Sequence, residues 1–122
     1  MGEKPTILVA ESEPSVGKVY KAMLPDYPVV TVQSMDKAIE CLKNDPSIKL
    51  VFTSTMLAGN NTGYDLTEYI TKNHPEVRTI FASATVEPAR AREAGAADIL
   101  LKPFHKPELE EMVKKHYNSG TR

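Results

Sequence analysis

The sequence predicts an α/β fold in which a doubly wound, five-stranded parallel sheet is covered by five helices. Two observations predict this fold. Five short apolar runs alternate, over 122 residues, with segments whose apolar residues recur at helical spacing. Several of these runs are apolar throughout, which is typical of strands buried on both faces. Because the length suits a single hydrophobic core, we predict one domain covering residues 1–122.

The first two strands and helices are marked by apolar runs and helix signals. Residues 6–10 (TILVA) form the first predicted strand, and Pro14 suits the first turn of the helix that follows. The apolar face predicted for that helix is Val16, Val19, Tyr20, Met23 and Leu24. Residues 29–32 (VVTV) are β-branched and form the second strand. Ser34 is the expected N-cap of the second helix.

The middle of the chain predicts a third strand, a long loop, a helix and a fourth strand. The apolar run that begins at Leu50 turns polar at Ser54, where a loop rich in glycine and asparagine follows. The apolar face predicted for the third helix is Tyr64, Leu66, Tyr69 and Ile70. Residues 79–83 (TIFAS) form the fourth strand.

The last third of the chain predicts two further helices with a strand between them. An alanine-rich helix over residues 88–94 ends at Gly95, a natural C′ glycine. Residues 98–101 (DILL) form the fifth strand, and Pro107 lies near the first turn of the last helix. The apolar face predicted for this helix is Leu109, Met112, Val113 and His116. Residues 116–122 are predicted to be a fraying end or the start of a linker.

The composition argues against several classes of protein. A formal net charge of -1 leaves no electrostatic footprint for nucleic acid or an anionic membrane. No apolar run approaches the roughly 20 residues needed to cross a bilayer, and the start MGEKPT lacks the apolar segment of a signal peptide. Cys41, the only cysteine, cannot form an internal disulfide, which favours a reducing compartment. We therefore expect a cytoplasmic protein.

Functional side chains are expected where the strands end. In an open parallel sheet, ligands and chemistry collect at the carboxyl ends of the strands. The residues that these ends bring to one edge are Glu11, Ser12, Glu13, Ser54, Met56, Ser83, Ala84 and Lys102. A neutral hydroxyl, that of Ser54, therefore stands at the end of the third strand, where a functional side chain is expected.

Four segments at these strand ends carry a resemblance to a known family. They are ILVAESEP, LVFTSTMLAG, TIFASA and GAADILLKPF, of which the last is the most specific. Over nearly its whole length, the chain resembles the receiver domain of response regulators in two-component signalling. The resemblance implies a flavodoxin-like topology and a role in phosphorelay signal transduction.

The resemblance also implies a phosphorylation site, from which this sequence departs. Receivers place two adjacent acids after the first strand to hold magnesium, and the matching positions are Glu11 and Ser12. They place the phosphoacceptor aspartate at the end of the third strand, where this chain has Ser54. The resemblance thus implies a remnant acidic pocket formed by Glu11, Ser12 and Glu13. The resemblance therefore implies a degenerate receiver, although Ser54 could also be a small polar residue tolerated at a strand end.

Other positions match the family more closely. Ser83 matches the switch hydroxyl, and Lys102 matches the lysine that pairs with the phosphoaspartate. The resemblance implies a cis bond between Lys102 and Pro103. Ile99 stands at the position of the aromatic switch residue but is not aromatic. Because Lys102 faces mainly Glu11, we predict that these two side chains approach within ion-pair distance.

A count of carboxylates argues against a metal site without reference to any family. The five aspartates are Asp26, Asp36, Asp45, Asp65 and Asp98, and none is predicted at the carboxyl end of a strand. Magnesium prefers carboxylate oxygens, which only Glu11 and Glu13 could supply. The three histidines lack metal-ligand spacing, and no G-x-G-x-x-G follows the first strand. We predict neither a metal nor a cofactor.

The leading hypothesis is a non-enzymatic module that signals by contact with a protein: a sensor kinase, an output domain or an adaptor target. The resemblance suggests a contact face on the fourth helix, fifth strand and fifth helix, with Arg90, Arg92, Ile99, His105 and Lys106 as candidates. A second hypothesis is a phosphorelay component that engages a histidine kinase or accepts phosphate at a non-standard residue. A third is a small hydrolase built on Ser54, which lacks a visible base.

Overall fold

Five strands alternate with five helices along the chain, as predicted. The computed structural model describes residues 5–117, so residues 118–122 of the predicted tail lie outside the described residues. The prediction was wrong for His116 and Tyr117, which belong to the last helix and are buried. The strands are β1 (Ile7–Ala10), β2 (Val29–Val32), β3 (Leu50–Thr53), β4 (Arg78–Ser83) and β5 (Asp98–Leu101). The helices are α1 (Pro14–Met23), α2 (Met35–Asn44), α3 (Gly63–Asn73), α4 (Pro88–Ala94) and α5 (Lys106–Tyr117).

The five strands form one parallel sheet in the order β2-β1-β3-β4-β5. Ile7 of β1 lies opposite Val29 on one side and Leu50 on the other. The chain therefore leaves β1 for β2 and then crosses back to β3, which makes the carboxyl ends of β1 and β3 the switch point of the sheet. The predicted fold class and flavodoxin-like topology are confirmed.

Each face of the sheet has its own apolar core, because successive strand residues point to opposite sides. Helices α1 and α5 cover one face, where Tyr20 and Leu109 pack on β1 and β3. Helices α2 and α3 cover the other, where Leu42 and Leu66 pack on the same strands. Every residue of β1 and β3 is buried. Burial on both faces explains why β1 is apolar throughout and why β3 is apolar up to Thr53.

Two predicted helix ends are confirmed. Ser34 caps α2, since its Oγ accepts a hydrogen bond from the Lys37 N–H at 3.3 Å. Gly95 ends α4 with φ at 109°, in the left-handed region that favours glycine. A side chain is also excluded there by contact, because an added Cβ would lie 2.1 Å from the Thr71 Oγ1.

Other details also differ from the predictions. Strand β1 begins at Ile7, one residue later than predicted. Strand β4 begins at Arg78, one residue earlier, because Arg78 joins the ladder opposite Leu50. Val19, a member of the predicted apolar face of α1, is 44% exposed. It lines an open groove of about 430 Å³ between α1 and Phe104, so the apolar stripe of α1 is wider than the surface that it packs against.

Asp98 holds the end of α5 to the beginning of β5. Its carboxylate accepts hydrogen bonds from the His116 Nε2 (2.9 Å), the Lys115 Nζ (3.2 Å) and the Ile99 N–H (2.9 Å). Burial raises the pKa of Asp98, but these hydrogen bonds outweigh it and lower the pKa below the ordinary value of 3.8. The charged form of Asp98 is therefore the one that the fold stabilises.

We expect Asp98→Asn to lower the free energy of unfolding at neutral pH by about 1.5 kcal/mol, because charge-assisted hydrogen bonds are lost. A lowered folded-state pKa contributes stability above the unfolded-state value, and this contribution disappears as the pH falls through the folded-state value. The difference between wild type and variant should thus be complete well above the ordinary pKa of 3.8 and shrink as the pH falls below it. Urea unfolding across this range measures it, and a difference that grows on acidification would contradict the assignment.

Candidate functional site

The carboxyl edge of the sheet brings the predicted site residues together through the backbone. Pairing continues one residue beyond the strands. The Ser54 N–H donates to the Ala10 carbonyl oxygen at 3.0 Å, and the Lys102 N–H donates to the Ser83 carbonyl oxygen at 3.2 Å. Glu11 follows Ala10 directly. The ends of β1, β3, β4 and β5 therefore form one continuous edge.

Glu11 and Lys102 form an ion pair across this edge. The Lys102 Nζ donates to the Glu11 Oε2 at 3.0 Å, which confirms the predicted approach. The Glu11 side chain is 6% exposed and that of Lys102 is 28% exposed. Glu11 follows β1 and Lys102 follows β5, with β3 and β4 between them, so the ion pair spans the middle of the edge.

Tyr20 of α1 lies near the Glu11 carboxylate. Burial raises the pKa of Tyr20, and the Glu11 charge raises it further, so its phenol stays neutral.

The hydroxyl of Ser54 makes a hydrogen bond within the loop that follows β3. Ser54 is 7% exposed, and its Oγ donates to the Met56 carbonyl oxygen at 2.7 Å. Its carbonyl oxygen accepts from the Thr53 Oγ1 at 3.0 Å. A nucleophilic serine needs a hydrogen bond to a base that can take its proton. Donation to a backbone carbonyl oxygen is not that arrangement.

The loop between Ser54 and α3 is closed by backbone and capping contacts. Met56 pairs with Thr62 in an isolated antiparallel bridge, and Gly59 takes a left-handed φ of 89°. Thr62 and Asp65 form a capping box, in which the Thr62 N–H donates to the Asp65 Oδ2 at 2.9 Å. This hydrogen bond lowers the pKa of Asp65. The Asp65 carboxylate is thus engaged at the start of α3.

The other predicted site residues differ in burial. Ser12 is half-buried, and Glu13 is exposed at the start of α1, where its carbonyl oxygen accepts from the Val16 N–H at 3.0 Å. Glu13 therefore lies outside the buried part of the predicted acidic pocket. Ser83 is buried, and its Oγ accepts from the Thr85 N–H at 3.4 Å. The bond between Lys102 and Pro103 is cis, as the resemblance implies.

The donor set at this edge does not suit a magnesium ion. Magnesium binds oxygen ligands in octahedral geometry and favours carboxylates. The buried edge has one carboxylate, that of Glu11, and it is paired with Lys102. Over residues 5–117, no group of three or more His, Cys, Asp or Glu side chains could hold a metal ion. The arrangement instead resembles a structural ion pair.

An aromatic cluster that the sequence analysis missed lies beside the edge. The Tyr64 ring packs on the Phe81 ring, with centroids 4.9 Å apart, and Ile99 packs against this cluster. The Arg90 guanidinium lies over the Tyr64 ring, 4.2 Å from its centroid. Tyr64 had been predicted only as an apolar helix residue. The signal available in the sequence was that an aromatic residue, Tyr64, directly follows Gly63.

The predicted contact face is largely open to solvent. Arg90 and Arg92 are exposed on α4, and His105 and Lys106 are exposed at the start of α5. Ile99 is half-buried. The guanidinium of Arg90 makes a cation–π contact with the Tyr64 ring, which fixes the position of its charge on the surface.

Comparison with models of protein families matches residues 7–114 to the response regulator receiver domain. The chain belongs to this family. The predicted resemblance is confirmed at this level. Receiver domains are signalling modules, and they interact with proteins such as kinases and output domains. Within residues 5–117, no helix is long and apolar enough to cross a membrane.

Solved receiver structures have the same fold at low sequence identity. The signal receiver domain of an HD domain-containing protein from Pseudomonas fluorescens Pf-5 has a TM-score of 0.90 at 19% identity, covering 99% of this chain and 92% of that one. A CheY-like receiver from Methanospirillum hungatei has a TM-score of 0.88 at 19% identity, covering 96% of each chain. The receiver domain of NtrX from Brucella abortus is 26% identical, with a TM-score of 0.83, covering 93% of this chain and 98% of that one.

Proposed function

We propose that this receiver domain is degenerate and signals through protein contacts, without phosphorylation of an aspartate. The observation that carries the proposal is Ser54, which stands at the end of β3 and donates its hydroxyl to the Met56 carbonyl oxygen at 2.7 Å. By resemblance, this is the position of the phosphoacceptor. A serine hydroxyl without a base is a weak nucleophile, so it does not replace the carboxylate.

The charges at the edge support the same proposal. In a receiver, clustered aspartates repel one another, and a cation and the lysine offset that repulsion. Here Glu11 and Lys102 neutralise each other at 3.0 Å. The Met56 carbonyl oxygen, which would be a further oxygen ligand for a cation, accepts from Ser54 instead. The former site then acts as a structural connection between β1, β3 and β5.

The face built from α4, β5 and the start of α5 is the proposed contact surface. Its exposed cationic side chains are those of Arg90, Arg92 and Lys106, and His105, which precedes Lys106, is also exposed. Ile99 replaces the moving aromatic residue that the resemblance would place on β5. The surface is therefore proposed to keep one conformation. The partner would be a sensor kinase, an output domain or an adaptor target.

A second candidate function keeps the domain in a phosphorelay. Ser83 and Lys102 support it, because both lie at the edge where the resemblance places the switch hydroxyl and the lysine. The domain would then engage a histidine kinase, or accept phosphate at a residue other than aspartate. A hydrolase built on Ser54 has less support, because its hydroxyl donates to a carbonyl oxygen.

Incubation with a small acyl phosphate and Mg²⁺, read by intact mass, tests the proposal. We expect no added phosphoryl group on the wild-type chain. The double variant Ser12→Asp/Ser54→Asp restores the second acid and the phosphoacceptor carboxylate, and we expect it to gain one phosphoryl group that hydroxylamine removes.

An adduct on the wild-type chain would overturn the proposal and favour the phosphorelay. An unreactive double variant would show that more than the two carboxylates has been lost. The control is Asn44→Asp, which adds a carboxylate at an exposed residue at the end of α2, away from the carboxyl edge of the sheet. This control should remain unmodified.

A further inference from the structure

Helix α4 is short and has little apolar area with which to hold its position. It has seven residues, and its buried residues are Ala91 and Ala94. Isolated helices of this length are unstable in water, so tertiary contacts must fix α4. A methyl group buries far less area than a leucine or phenylalanine side chain does, so these alanines supply little of that stabilisation.

The beginning of α4 is held by Tyr64 of α3. The N-cap residue of α4 is Glu87, whose side chain makes no capping hydrogen bond. The Glu87 N–H instead donates to the Tyr64 hydroxyl oxygen at 2.9 Å. Arg90, in the first turn of α4, places its guanidinium over the ring of the same tyrosine. Tyr64 is itself buried against Phe81, so its position is set by the core.

The end of α4 is held by Thr71, two turns further along α3. The Thr71 Oγ1 lies 2.8 Å from the Ala94 carbonyl oxygen and 2.9 Å from that of Thr67, and it shares its proton between them. Residues seven apart lie on the same face of a helix. Tyr64 and Thr71 therefore contact the two ends of α4 from one face of α3.

We propose that Tyr64 and Thr71 form a clamp on α3 that holds both ends of α4 in one position. The Tyr64 ring, together with Phe81, occupies the space beside Ile99. The side-chain hydrogen bonds to the two ends of α4 thus come from α3, while Ile99 of β5 packs against the same cluster as Ala91. The role of the clamp in signalling rests on the proposed function. If α4 is held in this way, the contact surface keeps one conformation without phosphorylation.

Hydrogen exchange followed by mass spectrometry tests the clamp. Tyr64→Phe and Thr71→Val each remove one hydroxyl while keeping the shape of the side chain. We expect exchange in residues 87–95 to accelerate about fivefold in each variant and about 25-fold in the double variant, as the loss of one or two hydrogen bonds implies. Exchange in β1 and α2 should remain as in the wild type.

The matched control is Tyr69→Phe, because the Tyr69 ring lies beside His74, at 5.8 Å between centroids. It should leave exchange in residues 87–95 unchanged. Unchanged exchange there in the double variant, or an equal acceleration in α2, would overturn the clamp. Either result leaves the acyl phosphate experiment unaffected. Conversely, phosphorylation of the wild type would reject the proposed function while the exchange data still report on the clamp.

Discussion

Replacing Lys102 by methionine is expected to lower the free energy of unfolding by about 1.5–3 kcal/mol, because a partly buried ion pair that loses one partner leaves an uncompensated charge. The charge left behind is that of Glu11, whose side chain is 6% exposed and whose Oε2 contacts the Lys102 Nζ at 3.0 Å. Methionine keeps most of the apolar stem of lysine, so lost packing contributes little. Urea unfolding of the two proteins at neutral pH measures the difference.

The double variant Glu11→Leu/Lys102→Met separates the missing charge from other effects. Replacing both members of a buried pair by apolar residues of similar size is often neutral or stabilising. We expect this variant to recover most of the stability lost in Lys102→Met. Lys37→Met is the control, because Lys37 forms an exposed ion pair with Glu40 at 3.6 Å and should change stability little. A double variant as unstable as Lys102→Met would contradict a role for the pair.

Gly63→Ala is expected to cost about 3 kcal/mol or more of unfolding free energy, at the upper end of the range for overpacking. An added Cβ would lie 2.1 Å from the Ser54 carbonyl oxygen, 3.0 Å from the Phe81 ring and 3.1 Å from the Thr53 Oγ1. The first of these atoms is backbone and cannot move without displacing the end of β3. Alanine favours helix over glycine by about 1 kcal/mol, so any loss must come from the contact. Urea unfolding measures the loss.

Gly59→Ala provides the matched comparison for Gly63. Gly59 has a φ of 89°, but an added Cβ would meet no atom within 4 Å. Its substitution therefore introduces backbone strain without a clash, and we expect a cost of about 1 kcal/mol. If the two alanine variants lost equal stability, the close approach of α3 to the end of β3 would not be the cause of the Gly63 effect.

The sequence was sufficient to predict the fold because each element carries a local signal. Continuous apolar runs marked β1 and β3, and Ser34 and Gly95 marked helix ends that the structure confirms. The errors lie at element ends and at Val19, where exposure depends on neighbouring loops. Periodicity identifies the apolar stripe of α1 but not the fraction of it that another element covers.

The parts of the site that depend only on the topology of the sheet could be predicted from the sequence. Parallel strands bring their carboxyl ends to one edge, so the approach of Glu11 and Lys102 followed from the fold. The hydrogen bond from Ser54 to Met56 depends on one side-chain rotamer and on the path of the loop. The contacts of Tyr64 with α4 depend on the distance between two helices. Neither the rotamer of Ser54 nor the distance between α3 and α4 follows from a local sequence pattern.

The short bond from the Ser54 hydroxyl to the Met56 carbonyl oxygen has a consequence for how such a module could transmit information in a cell. Under the proposed function, an edge at which Glu11 pairs with Lys102 and Ser54 donates to Met56 would not respond to the supply of divalent ions or of energy-rich phosphates. Whatever binds this domain would then read its abundance, and the rates of synthesis and degradation would set the strength of the signal.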